Sequence, residues 1–455
     1  MKHAIWNTTK AYLLSKRYVV WAFRQYNPIT IIGKANLPAE GPVILAPNHR
    51  NALMDALALL CLPPFNLPKI FLARADIFKL PATVVRFLRF AKILPAFRIR
   101  DGYDQLERNK ATFNEAELSL INKAAVGIMP EGNQGDERNI RPIVKGIFRI
   151  AFSTQLQLPE GQTVKIIPIG LEYSNLIRPL CPLVVQVGEP IDVADYMMYY
   201  KENPAKATNA LRMHLKESLE HLTVHIPTGS TYTMHEELME LICGVVAKCS
   251  SAEALFSCRQ QVARWLDSLE AETPSLASEL NELYHQYSVL RKELNLPRRK
   301  TGLAFEPTST PWQLRVKSIL FIIIALPGLV INLLPYLFIR SVPRMAGIKY
   351  KGFFSTVYFV TGLVVLPLYY IVLSLTIISL TPQPWWLAVL AIPLYYHSGK
   401  LSIRCIQQIE QLHADTKMLK IIKHKPATYS SLQSIRQKII KISTQKTILT
   451  NSEHY

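Results

Sequence analysis

The stretch Ala46-Pro-Asn-His-Arg-Asn-Ala-Leu-Met-Asp55 places an imidazole and a carboxylate six positions apart, just past the apolar run PVILAP (42–47). An imidazole, with an unperturbed pKa of about 6.5, can take a proton from a hydroxyl near neutral pH. A carboxylate on its other ring nitrogen would fix the tautomer and stabilise the imidazolium, as in serine hydrolases. His49 is the only histidine between residues 4 and 213, so no other imidazole in that span could serve as the base. The competing reading is two polar residues opening an ordinary helix. Geometry separates the two: six positions on an ideal helix turn through about 600°, leaving the side chains roughly 120° apart. A working pair therefore requires His49 in the turn before the helix, with its ring folded back toward Asp55.

Other clusters suit an anionic substrate. Arg98 and Arg100 lie at alternate positions of a strand-like stretch. The planar fork of arginine matches phosphate, and surface pairing with Asp101 or Asp104 is the alternative. Glu131-Gly132 follows another apolar run, AAVGIMP (124–130), and a glycine there lets a ligand approach the backbone. Arg138, Arg141 and Lys145 come soon after as further anion-binding candidates. No metal is expected, because the histidines at 214, 221, 225, 235 and 285 are not paired with cysteines or carboxylates at ligand spacing. The six cysteines form no C-x-x-C pair, which predicts free thiols in a reducing compartment.

These residues sit where strands end and loops begin. Residues 28–195 alternate apolar runs (PVILAP, AKILPAF, AAVGIMP, VKIIPIGLEY, PLVVQVGEPI) with helical patterns such as YDQLERNKATFNEAELSLINK. That alternation predicts an α/β domain with a mostly parallel sheet flanked by helices, and in such sheets sites form beyond the strand ends. Residues 1–27 are basic and aromatic. They read equally as a helix lying in a membrane interface or as one packed on its own domain. Residues 196–312 carry apolar residues at helical spacing and read as a helical extension.

Residues 313–400 read as a membrane domain. Ile319–Ile339 and Phe353–Leu380 are uncharged and reach the roughly 20 residues a spanning helix needs. Lysines and arginines flank the first stretch on both sides, and Pro327-Gly328 and Pro335 interrupt it. The first segment reads as re-entrant or spanning, followed by a hairpin of the second with a third, shorter segment, Trp385–Tyr396, turning at Thr381–Pro384. A re-entrant first segment would keep every basic flank in the cytoplasm. Residues 401–455, with nine Lys/Arg against three acids, read as a basic amphipathic tail suited to anionic lipid. The net charge of +19 fits nucleic acid, an acidic carrier or an anionic membrane. Beside membrane segments the last two are preferred, and no nucleic-acid partner is expected.

Four blocks in order carry a family resemblance: N-H-R-N-A-L-M-D (48–55), P-A-F-R-I-R (95–100), M-P-E-G-N (129–133) and I-I-P-I-G (166–170). Together they resemble the glycerolipid acyltransferase superfamily, which includes glycerol-3-phosphate and 1-acylglycerol-3-phosphate acyltransferases. The resemblance implies that His49 is the general base that deprotonates an acceptor hydroxyl for attack on an acyl thioester, with Asp55 orienting it. It implies acceptor binding by Arg98 and by Glu131 and Gly132, while Arg100, Asn133 and Lys145 are candidates read from the residues around them. Pro168 matches a block with a structural or acyl-pocket role. The donor would be acyl-CoA or acyl-carrier protein, a substrate rather than a resident cofactor, and the partners would be membrane lipids and a glycerol-phosphate acceptor. The enzyme would be membrane-integrated with its catalytic domain facing the cytoplasm.

Two departures stand out. The commonest first block has four residues between histidine and aspartate, whereas this chain has five. The third block usually continues Thr-Arg-Ser and here reads Asn133-Gln134-Gly135, so a phosphate contact is missing unless Arg138 or Arg141 supplies it. The longer first block is similar to the subset containing fungal glycerol-3-phosphate/dihydroxyacetone-phosphate acyltransferases, which implies a first-acylation role. Acylation of another lysophospholipid or an amino-acid-derived lipid, or lipid binding without catalysis, are the alternatives.

Overall fold

The computed structural model describes residues 4–97, 103–246, 251–296, 310–382 and 384–445. They divide into two compact units, one comprising 1–225 with 350–356 and the other 226–349 with 357–455.

The first unit is built in the order α1 (Lys10–Tyr26), β1 (Ile29–Ile32), β2 (Val43–Pro47), α2 (Leu53–Leu60), β3 (Lys69–Arg74), α3 (Ala82–Phe90), β4 (Ile93–Ala96), α4 (Tyr103–Ile121), β5 (Ala125–Gly127), α5 (Gly146–Gln155), β6 (Lys165–Tyr173), β7 (Leu183–Val187), β8 (Ile191–Asp192), α6 (Met197–Glu202) and α7 (Pro204–Leu222). The sheet order is β1-β7-β6-β2-β5-β3-β4, with β8 on β6. β1–β7, β6–β2, β2–β5, β5–β3 and β3–β4 are parallel, whereas β7 and β8 run antiparallel to β6. The mostly parallel α/β fold expected from the alternation is thus present. β2 is buried throughout and β6 nearly so, as strands covered on both faces must be, which explains why β2 and residues 166–171 of β6 are apolar. Because β2, β5 and β6 run in parallel, the loops after them leave from one edge of the sheet.

One face of α1 buries Tyr12, Lys16, Val20 and Phe23, while Leu14, Tyr18 and Trp21 on the other are exposed. α3 buries nothing and exposes Val84, Phe87 and Phe90 between basic residues. Tyr12 packs edge-on against Phe90, their centroids 6.1 Å apart, so the two exposed apolar helices are neighbours.

Three buried lysines pin the N-terminal region through main-chain carbonyls. Lys16 donates to Phe65 and Leu67, Lys69 to Leu62 and Pro64, and Lys92 to Ile5 and Asn7. Burial, aided by repulsion from Lys92 at Lys16 and from Lys16 at Lys69, pushes them down to about 8, about 7 and about 8. Their unfolded value is near about 10.4. Between the folded and unfolded values the unfolded chain binds more protons, so stability rises with pH across that window. The buried Cys61 thiol, pushed up to about 11, works in the opposite sense once unfolded thiols begin to ionise. Melting of the detergent-purified protein is therefore expected to shift upward from about pH 7 to about pH 8.5, with a shallower slope in Lys69→Met. A flat or falling profile over that range would contradict the assignment.

The second unit contains α8 (Tyr232–Val246), α9 (Ala252–Glu272), α10 (Pro274–Glu293), α11 (Pro311–Met345), α12 (Phe354–Leu380), α13 (Trp386–His424) and α14 (Pro426–Gln445), with the opening residues of α12 in the first unit. α11 and the stretch ending in α12 are long and apolar enough to cross a membrane. The expected re-entrant break in the first of them is absent, because α11 runs continuously through Pro327 and Pro335. A proline removes the donor for the carbonyl four residues earlier. For Pro335 that carbonyl belongs to Ile331, and the Tyr369 hydroxyl donates to it at 2.8 Å. Asn332 also joins these helices, accepting from Tyr370 and donating to Tyr395. α13 crosses the expected boundary at residue 400 as one helix, carrying Gly399 within it and no proline after Pro393.

Candidate active site

Asn48 ends β2 by prolonging its pairing with β6. Its side-chain oxygen accepts from the Leu171 N–H at 2.6 Å and its amide donates to the Leu171 carbonyl at 3.2 Å. The chain then turns away before α2, so His49 lies outside the helix. Its Nδ1 is 2.9 Å from Asp55 Oδ2, the arrangement the spacing required. The same carboxylate oxygen accepts the N–H groups of Arg50 at 2.9 Å and Asn51 at 2.8 Å. Asp55 is the third residue of α2, where a carboxylate also favours the positive end of the helix dipole. Just before α2, Ala52 adopts a φ of 46° and a ψ of −124°, unusual for a residue with a side chain. The His49 side chain remains 17% exposed, whereas that of Asp55 is fully buried.

The loop after β5 clamps the histidine's backbone. Glu131 Oε1 accepts the His49 N–H at 2.7 Å, and Arg141 donates to the His49 carbonyl at 2.6 Å. The two clamping residues pair with each other at 2.8 Å. Gly135 makes this possible, since a β-carbon there would lie 1.9 Å from Arg141 Nη1. Gly132 adopts a φ of 67°, the left-handed turn that brings the loop round. Burial pushes the Glu131 carboxyl up, opposed by the Arg141 guanidinium and the two N–H groups it accepts.

Behind the loop lies a buried ion cluster. Arg50 donates to Glu172 Oε2 at 2.9 Å, and Arg138 donates through Nε and Nη2 to Oε1 at 3.1 and 3.0 Å. Arg50 also reaches the Asp136 carbonyl at 2.9 Å. Burial, then the adjacent Asp55 carboxylate, push the Tyr173 phenol well above its usual range.

The site residues expected from sequence therefore part company. His49 and Asp55 meet. Glu131 is 4% exposed, and its oxygens are engaged by His49 and Arg141. Arg138 and Arg141, considered as replacements for the missing phosphate contact, are instead held by Glu172 and Glu131, because buried carboxylates require such partners. Asn133 and Lys145 are exposed, the latter at the start of α5. Arg98 and Arg100 lie outside the described residues. Pro168 is buried within β6, opposite Ala46. Sequence reasoning missed Arg50, Asn51 and Glu172. Glu172 had a signal, as a lone acid in an otherwise apolar strand. Among the described residues no cluster of three or more His, Cys, Asp or Glu could hold a metal.

Residues 28–172 match the Acyltransferase family model. Glycerol-3-phosphate O-acyltransferase 2 of Saccharomyces cerevisiae is 27% identical over 214 residues, which is 45% of this chain and 27% of that protein. Glycerol-3-phosphate O-acyltransferase 1 of the same yeast is 28% identical over 93 residues, 20% of this chain and 12% of the relative. The matched stretch thus spans about a quarter of the first relative's length and less of the second. A solved structure, the 1-acyl-sn-glycerophosphate (LPA) acyltransferase PlsC from Thermotoga maritima, aligns with 46% of this chain and 76% of its own. Its sequence identity is 21% and its TM-score 0.32.

Proposed function

We propose that this chain, which carries an acyltransferase-family domain over residues 28–172, is a membrane-integrated O-acyltransferase of phospholipid synthesis. It moves a fatty acyl group from a thioester of coenzyme A or acyl-carrier protein to a hydroxyl of glycerol-3-phosphate, dihydroxyacetone phosphate or 1-acylglycerol-3-phosphate. The observation that carries this reading is the His49–Asp55 pair, at 2.9 Å, where β2 ends within that domain. With Nδ1–H donating to Asp55, the basic lone pair of His49 lies on Nε2. Nε2 takes the proton of the acceptor hydroxyl as its oxygen attacks the thioester carbonyl. Collapse of the tetrahedral adduct expels the thiolate, which recovers the proton from the imidazolium. Asp55 stabilises that imidazolium, and Glu131 and Arg141 hold the peptide that carries it.

The acceptor phosphate falls to Arg98, with Arg100, Asn133 and Lys145 as further candidates. Two apolar helices and the exposed apolar faces of α1 and α3 support a membrane location. Purified protein should acylate at least one of the three phosphorylated acceptors from acyl-CoA or acyl-carrier protein. In Arg98→Ala the KM for that acceptor should rise roughly tenfold or more, as expected for a lost charge-assisted contact, with the donor KM little changed. Folded protein that transfers acyl groups to none of them from either donor would overturn the reading.

A further inference from the structure

Residues 350–356 connect α11 to α12 in sequence, yet they belong to the same compact unit as residues 1–225. Within that unit the Ser355 hydroxyl donates to Asn51 Oδ1 at 2.6 Å, across 304 positions of sequence. Both residues are buried, at 1% and 2% exposure. Asn51 is also fixed from the other side, its amide donating to the Leu176 carbonyl at 3.0 Å, while its own N–H supports Asp55. The same segment reaches the loop after β5, where the Tyr350 hydroxyl donates to Asp136 Oδ1 at 2.8 Å. The Asp136 carbonyl in turn accepts from Arg50.

We propose that Ser355 is a positioning residue for the reaction, holding Asn51 so that the His49–Asp55 loop keeps its working geometry. The inference rests on the acyltransferase reading of the site. The physical need for such a hold lies one residue further on. Ala52 occupies a sparsely populated backbone region, and such conformations persist only where the surroundings over-determine them. The two side-chain bonds of Asn51, together with its N–H to Asp55 and its carbonyl accepting from Met54, restrain the residue that precedes Ala52. Without Ser355, Asn51 Oδ1 loses this donor in a buried setting, and the loop gains a reason to relax. Relaxation would withdraw the Asn51 N–H from Asp55 and let the carboxylate drift from the imidazole. The site would then be completed only when the linker of the two apolar helices is seated on the catalytic unit.

The test uses the full-length protein in detergent. Ser355→Ala should lower kcat about tenfold while leaving both KM values within about twofold, as expected when only transition-state alignment is lost. In an Asn51→Ala background the same substitution should add nothing, because its route to the site is already gone. Hydrogen exchange at the Arg50 and Asn51 amides should quicken in Ser355→Ala, with β6 amides unchanged. Ser355→Thr, which keeps the hydroxyl, should restore wild-type exchange, and it carries the measurement if the alanine variant does not fold. Wild-type kcat and exchange in Ser355→Ala would overturn the proposal, as would an undiminished effect in the Asn51→Ala background. A wild-type protein without turnover would remove the acyltransferase reading alone, since the exchange comparison still decides whether Ser355 holds the loop.

Discussion

Replacing His49 with alanine is expected to lower kcat for acyl transfer on the order of 10³-fold, within the range a positioned general base contributes. The loss should fall on kcat rather than on either KM, because the proton is transferred only in the transition state. Melting should be nearly unchanged. The imidazole is partly exposed, and its peptide keeps the Glu131 and Arg141 bonds whatever side chain it carries. Asp55→Asn makes a sharper companion. One carboxylate oxygen receives three donors, so an asparagine oxygen in its place can accept the same bonds. The substitution then removes the charge that stabilises the imidazolium and little else. A loss comparable to that of His49→Ala, with melting near wild type, is the expected outcome. Asp55→Ala, by contrast, leaves the loop N–H groups without their acceptor in a buried setting, which costs stability as well. Normal turnover in the His49 variant would remove the mechanism altogether.

How far the sequence exposes this site depends on the distance over which each interaction acts. The His49–Asp55 pair was legible because six residues of chain can be treated as geometry, and only one placement of the ring satisfies it. β2 and β6 were legible because burial on both faces demands long apolar runs, VILAP in the one and IIPIGL in the other. β3 was not, since its run KIFLAR opens on Lys69, a residue type rarely fully buried, here accommodated by carbonyls of the preceding loop. Arg138 and Arg141 were recognised as cations near the site, but charge alone does not say whether the partner is a substrate or a buried carboxylate. The prolines of α11 suggested a break because the donor replacing the lost N–H comes from Tyr369, 38 positions away. Ser355 had no local signal at all. Its significance lies in Asn51, which only the folded chain brings to it.

The largest stability effect is expected at Glu172, a residue outside the His49–Asp55 pair. Glu172→Gln should lower the stability of the catalytic unit by about 3–5 kcal/mol, the cost of breaking a buried pair from one side. Glu172 is 4% exposed, and the side chains of Arg50 and Arg138 are each 10% exposed, so water does little to compensate the loss. Glutamine keeps the shape, but its amide nitrogen would face one of the two guanidinium groups as donor against donor. For a unit of this size the shift in melting temperature is roughly 6–20 °C. Removing one arginine at the same time should recover part of the loss, because the carboxylate offsets two cations whose repulsion is otherwise unopposed. Arg50 belongs to the loop that carries His49, and Arg138 to the segment that carries Arg141, so activity should fall with stability in this variant. The two effects separate on cooling. Below its lowered melting transition the Glu172 variant should regain a substantial part of its turnover, whereas His49→Ala, fully folded at every temperature tested, should regain none. A Glu172→Gln protein that melts like wild type would show that the cluster is hydrated and contributes little to holding the loop.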